Sequence, residues 1–398
     1  MSTRGPMQVS TSGVVFYYDI ANDKSYLGEP TTNFYTNADL TGGNNVGQEG
    51  GSNPTNEVVL FPNPGNSPYC VRSTAVGGSI YTEYQLTVTG TIQANTSYTL
   101  SCWVAWTPDW DGTYSVFHMR WYNSGGSEAG SSGLEQGTTI ETRVVNGLTW
   151  YRKYYTFNSG ASVNGTHDWY AGYYSNNTKG YRYFTNFQLE AKNHPTQFSK
   201  GTRSVTTGLV DLIGNYEINL TNAGYDSNAN ITFNGSSNYI TAYTIPDSFW
   251  NAGSWSVSVW IKFNSVSKGT DNAIFGHGAG SYSNGLHLAE RSSAVYFGFY
   301  ANDLAGTIPL AANKWYNIVW VFNYSTKLKQ IYVNGVFDTS GGSVGYSGTG
   351  TNTEFGRYPW STGNLTNSTI SSIYGYNKVL TASEVLQNYN RTKSRFGL

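Results

Sequence analysis

Two cysteines in 398 residues, Cys70 and Cys102, leave no disulfide framework for the fold to depend on. Both stand inside strand-like runs, "YCVRST" and "YTLSCWVAW", and read as buried thiols; a bridge between neighbouring strands is the alternative. The histidines (His118, His167, His194, His277, His287) are scattered, which excludes a zinc-ligand spacing. Charge is scarce as well. Asp, Glu, Lys and Arg make up 12% of the chain, against about 25% in an ordinary domain, and the net charge is −1. With no block of Lys or Arg, no nucleic-acid partner is expected. No apolar run approaches the ~18 residues that span a bilayer, so no membrane insertion is expected. The opening "MSTRGPMQVS" lacks the apolar stretch of a secretion signal, and export by the ordinary route is not expected.

What the chain has in quantity is aromatic and turn-forming residues: 33 Tyr, 12 Trp and 46 Gly. Tyr, Trp, Val and Thr suit pleated surfaces, and Gly, Asn and Asp suit hairpins. The fold class that follows is all-β: two antiparallel β-sandwich or jelly-roll domains with one short C-terminal helix. A first series of strands runs "EVVLF", "YCVRST", "IYTEYQLTV", "SYTLSCWVAW", "YSVFHMRWY", "TWYRKYYTF", "DWYAGYYS" and "RYFTNFQLE". A second begins with "NITFNG" and ends with "STISSIYGYN". In "SWSVSVWIKF", Trp255, Val257, Val259 and Ile261 share one face, while Ser256 and Ser258 point the other way, to a face that is shallow or packed against a helix or turn. "LKQIYVNGVFD" is the sharpest hairpin signal, with Asn334-Gly335 for a type I′ turn. "LTASEVLQNYN" carries a capping box, Thr381 with Glu384, ahead of an apolar stripe.

"GVVFYYDIANDKSYLG" (13–28) reads as one strand and a turn, with no neighbouring strand for about thirty residues. An isolated strand is unstable, so its partner must lie elsewhere. The C-terminal segments "NITFNGSSNYI", "SWSVSVWIKF", "KWYNIVWVFN" with "QIYVNG", and "SIYGYNKVLTASEVLQNYNRTKSRFGL" resemble the laminin-G-like, concanavalin A-like domains of bacteriophage structural proteins. That family opens on a strand like 13–20 and continues with a segment like "LVDLIGN", which here stands at 209–215. Residues 1–12 read as a polar docking arm, and the resemblance implies 13–30 as the first strand of the C-terminal sandwich. Residues 31–200 would be an inserted jelly roll, and 201–398 the sandwich itself. The alternative is that Val14–Tyr18 begins the middle block. The inserted block, from "TIQANTSYTLSCWVAW" to "FTNFQLEAKNHPTQF", resembles carbohydrate-binding modules.

Such sandwiches also host glycosidases, which need two carboxylates facing one cleft. No Glu-x-Asp-x-Glu stretch exists; the nearest acids are Asp109/Asp111, Glu135/Glu141, Asp168 and the solitary Glu290. No catalytic residue is therefore expected. Glycan binding needs exposed aromatic faces beside planar polar groups. "AWTPDWDGTY" offers Trp106, Asp109, Trp110, Asp111 and Tyr114. "WYAGYYSNNTKGYRYF" offers Trp169, Tyr173, Asn176 and Tyr181, and "EFGRYPWSTGN" offers Arg357, Tyr358 and Trp360. Against this stands the core: a sandwich must fill its interior, and Trp103, Trp121, Trp255, Trp260, Trp315 and Trp320 alternate as core residues do. No cofactor is required; calcium, as in both resembled families, would call on Asp109, Asp111, Asp226 or Asp303. The resemblance implies a non-enzymatic phage virion surface protein, a fibre, appendage or head decoration, assembled in the host cytoplasm. Its expected partners are other virion proteins through the arm, host-surface polysaccharide, and further copies of itself. The alternatives are a purely structural cement protein without a ligand and a polysaccharide depolymerase.

Overall fold

The computed structural model describes residues 11–35, 38–41, 56–74, 92–112, 114–123, 125–131, 133, 135–161, 163, 167–171 and 179–398. The first ten residues of the arm and the candidate strand "IYTEYQLTV" lie outside the described residues. The fold is all-β, built of antiparallel sheets, with the helix Ala382–Thr392 at its C-terminal end. One helical turn, Asp247–Asn251, has no counterpart in the sequence reading; at five residues it is too short to show a period. The chain divides into two compact units, Met1–Glu29 with Ser204–Asp226 and Asn230–Leu398, and Pro30–Arg203 with Ser227–Ala229.

The first unit is a sandwich of two sheets. One runs Gly224–Tyr225, Ile231–Asn234, Asn367–Tyr376, Trp255–Phe263, Trp315–Asn323, Leu328–Val333 and Val336–Gly342. Val14–Asp19 also pairs with Asn367–Tyr376, Tyr18 opposite Ile373. The facing sheet runs Ile240–Ala242, Thr353–Phe355, Asn272–Gly278, Gly285–Arg291, Ala294–Phe299 and Asp303–Ala305. Trp255, Val257, Val259 and Ile261 meet Phe275, Leu286, Leu288 and Phe297 in one core, joined by Phe16 and Tyr18. The opposite face of Trp255–Phe263 carries the C-terminal segment. Ser256 Oγ donates to Lys378 O at 2.7 Å and accepts from Leu380 N at 3.0 Å. Trp260 stacks on Phe396 at 4.0 Å and donates its indole N–H to Thr392. Serines there leave room for the helix, which begins at the Thr381–Glu384 capping box.

In the second unit a six-stranded sheet runs Asn56–Leu60, Tyr69–Thr74, Tyr181–Glu190, Ser97–Trp106, Leu148–Asn158 and Thr138–Val145. A three-stranded sheet runs His167–Ala171, Phe117–Tyr122 and Glu128–Ser131. Tyr98, Leu100, Cys102, Val104, Phe117, Met119 and Phe184 share its core. Cys102 lies in that core, whereas Cys70 packs with Trp103, Trp150 and Tyr183 on the large sheet's other face, so the two thiols stay free. Burial pushes both up, Cys70 to about 12, which leaves them inert at neutral pH.

Candidate functional site

Trp106 is the last residue of its strand, and Thr107-Pro108-Asp109-Trp110 turns the chain, with Trp110 N donating to Thr107 O at 3.0 Å. Proline at the second position presets the turn. Thr107 is tied to the neighbouring strand, accepting from Tyr181 N at its hydroxyl (2.8 Å) and donating its own N–H to Tyr181 O (2.9 Å). Gly180 is required here: a Cβ would meet the Trp110 backbone at 2.7 Å, and its φ is +82°. Beyond the turn the chain brings Tyr114 back against Trp106, ring centroids 5.1 Å apart and edge to face. Tyr151, from the adjacent strand, lies 5.9 Å from Trp106.

These rings wall a cleft of about 470 Å³. Gln136, Thr139 and Thr149 supply amide and hydroxyl groups, and Lys153 supplies the single ionised side chain among the lining residues. Thr149, Tyr151 and Lys153 alternate along Leu148–Asn158, so all three face the cleft. Tyr114 is 49% exposed and so presents a ring face to a ligand. An aromatic wall with hydroxyl and amide groups around it can hold the C–H face and the hydroxyls of a saccharide.

The other sequence candidates fall differently. Trp110 is only 7% exposed, with the Arg182 guanidinium 5.4 Å over its ring, so it is a packed residue and not a platform. The tight turn at Pro108 points it inward. Asp111 accepts from Lys179 N at 3.0 Å, and Asp109 is exposed on the turn. Tyr181 belongs to the sheet's other face, beside Tyr183 and under Arg72, because Arg182 is the residue paired with Trp106. Tyr173 and Asn176 lie outside the described residues, as does the side chain of Trp169.

The third group is largely packed, with Arg357 and Trp360 half-buried and Tyr358 buried. Arg357 holds Glu354 through two bonds of 2.6 and 2.7 Å, and Tyr358 is buried with its hydroxyl donating to Asp271 at 2.9 Å. Trp360 lies half-buried against Tyr358, stacked at 5.3 Å. Beside them Arg291 bridges Asp271 (2.7 Å twice) and Asp303 (2.9 Å), and His287 Nε2 meets Asp303 at 2.9 Å. Burial alone would raise Asp303; the bonds from His287 and Arg291 outweigh it and bring the carboxyl down to about 2. These acids balance cations, so Arg357 and Tyr358 act in packing rather than as an open sugar surface. Of the calcium candidates, Asp303 is engaged in this way, and Asp226 accepts from Asn230 N at 2.9 Å. Among the described residues no group of three His, Cys, Asp or Glu side chains converges to hold an ion.

Sequence reasoning passed over Gln136, Thr139, Thr149, Tyr151 and Lys153. The signal was present in "RVVNGLTWYRKYY": Asn146 and Gly147, at φ +51° and +75°, make a two-residue hairpin that turns Thr138–Val145 back on Leu148–Asn158. Residues 234–386 match the laminin G group of the concanavalin A-like lectin/glucanases superfamily. No curated protein matches the chain. A Trypanosoma rangeli sialidase solved with a difluoro-nononic acid is similar at 15% identity over 47% of this chain and 31% of that one, with a TM-score of 0.38. The botulinum neurotoxin type G receptor binding domain is similar at 15% identity over 47% of this chain and 49% of that one, with a TM-score of 0.36. The chain thus spans about a third to a half of these structures' lengths.

Proposed function

We propose that this is a non-enzymatic glycan-binding protein displayed on a bacteriophage particle, contacting host-surface polysaccharide through the Trp106–Tyr114–Tyr151 cleft. The observation that carries the reading is the cleft itself: aromatic rings on one wall, Gln136, Thr139 and Thr149 around them. A lectin-type domain at 234–386 in the same chain supports it. The buried acids support the absence of catalysis. Glu290 accepts from Ser267 N and Ser293 N, Glu190 from Thr31 and Thr196, and Asp271 from Arg291 and Tyr358. Each is spent on holding a loop or a cation, with none poised against a second free carboxyl. The phage setting rests on the resemblance of the C-terminal segment, and assembly with virion proteins and with further copies would use the N-terminal arm.

The test is a glycan array followed by calorimetry on Tyr114→Ala. Loss of one stacking ring is worth about 1–3 kcal/mol, by analogy with base–aromatic stacking. Because Tyr114 is half exposed, affinity should fall about tenfold or more while the melting temperature stays put. Unchanged affinity for the best array ligand would reject the cleft as the site, and release of reducing sugar from that ligand would reject the non-enzymatic reading.

A further inference from the structure

Lys153 does something in the cleft that a neutral-sugar site does not require. Its strand carries it to the cleft wall, in register with Thr139. The residue is half-buried, and its ammonium donates one long bond, 3.3 Å, to Gly137 O. Among the described residues no carboxylate pairs with it. Of the adjacent acids, Glu141 pairs with Arg143, and Glu135 lies near Tyr155, whose hydroxyl it helps keep protonated. Burial lowers the lysine's proton affinity, the direction expected of a cation held out of water without a counter-ion. Arg291, Arg357 and Arg395 have carboxylate partners (Asp271 with Asp303, Glu354, and Asp19), and the buried Lys329, which has none among the described residues, donates to three oxygens, against the single long bond of Lys153.

We infer that the cleft takes an acidic saccharide, one whose carboxylate or phosphate ester sits on the Lys153 ammonium while its ring lies on Trp106, Tyr114 or Tyr151. This rests on the glycan reading above and specifies its ligand class. An anion there would complete the lysine's unfilled donors, and charge-assisted bonds are about twice as strong as neutral ones. A neutral saccharide offers the ammonium only hydroxyl acceptors, without the added attraction of an opposite charge.

The experiment uses the whole protein and paired probes, one member with the acidic group and one without it. Oligogalacturonate is compared with its methyl ester, sialyllactose with its carboxyl-reduced form, and mannose 6-phosphate with mannose, each by calorimetry at low salt. The readout is the affinity ratio within a pair, because damage to the fold lowers both members together. The expected result is a ratio of about ten or more in at least one pair, falling to about one in Lys153→Met and kept in Lys153→Arg. The pair that shows it identifies carboxylate or phosphate as the group recognised. A ratio near one in the unaltered protein, with binding that Tyr114→Ala weakens, overturns the acidic ligand and leaves the glycan site standing. A ratio that survives Lys153→Met overturns the role of the lysine. Binding of none of the probes, nor of any array glycan, overturns both.

Discussion

Lys329, in the strand Leu328–Val333, is 1% exposed, its ammonium among three oxygens: Asn302 O at 2.5 Å, Asn302 Oδ1 at 2.9 Å and Phe297 O at 3.3 Å. The Phe299 ring lies 4.5 Å away. Among the described residues no carboxylate bonds it, and burial brings its pKa down to about 8, against an ordinary 10.5. The consequence for stability has a definite sign. Between pH 8 and 10.5 the unfolded chain holds a proton that the folded chain has released, so stability rises with pH across that window. The rise amounts to about 3 kcal/mol when complete. Above pH ~10 the buried tyrosines Tyr18, Tyr374 and Tyr376, all pushed up by burial, oppose it, since the unfolded chain then loses protons that the folded chain keeps. Comparing the unaltered protein with Lys329→Met isolates the lysine. Their difference in urea unfolding free energy should climb by about 2 kcal/mol in favour of the unaltered protein between pH 8 and 10. A difference that stays flat would mean the ammonium is not under strain.

At the scale of the element, the hairpin at Asn334-Gly335 shows what short-range sequence can specify. Both residues have positive φ, +52° and +79°, as a type I′ turn requires, and Val333 pairs with Val336 across it. Gly335 is doubly constrained, because a Cβ would also meet the Tyr389 ring at 3.0 Å. Gly335→Ala should therefore destabilise the first unit by about 1–2 kcal/mol, read as a fall in its denaturation midpoint at unchanged slope. Asn334→Gly should be tolerated. The same locality made the Thr381–Glu384 cap and the two faces of Trp255–Phe263 legible in advance. The edge strand Thr138–Val145 was not. "TTIETRVV" has no apolar alternation, since an edge strand buries little, and Ile140 and Val144 remain exposed. That loss hid one wall of the cleft. Trp110 misled in the opposite direction: its loop context suggested exposure, but Arg182, which no local pattern links to it, covers its ring. Turn chemistry and caps act over four or five residues and are readable; which face of a turn is covered depends on a strand seventy residues away.

At the scale of the whole molecule, the two ends of the chain complete one sandwich. Val14–Asp19 adds to the strand Asn367–Tyr376, and the Phe16 ring lies so close over Gly375 that a Cβ there would meet it at 2.2 Å. The chain leaves and returns at one place: Leu27 N donates to Gly208 O at 2.8 Å and Val210 N to Ser25 O at 2.8 Å. The unit formed by Pro30–Arg203 therefore arises from neighbouring points on the sandwich chain, an arrangement that leaves the sandwich ladder unbroken. What locks the ends is Asp19, 2% exposed, which accepts from Arg395 at 2.8 and 2.9 Å through both oxygens and from Tyr17 at 2.7 Å. Tyr17 in turn stacks on Tyr374 at 4.1 Å. A buried pair of this kind is costly to break from one side, because the remaining charge stays out of water. The Arg395 side chain is 31% exposed, so solvent offsets part of the loss. Arg395→Met should cost the sandwich about 2–3 kcal/mol, and Asp19→Asn added to it should recover part of that by removing the stranded carboxylate. Deleting residues 1–20 should cost far more, since it also removes Phe16 and Tyr18, each worth about 1.5–3 kcal/mol when buried, and bares the edge of Asn367–Tyr376. Urea unfolding followed by hydrogen exchange assigns each loss to a unit. Protection should fall in 231–376 and persist in 97–106 and 148–158; equal losses in both would mean that the units unfold as one and that the clamp belongs to the entire chain.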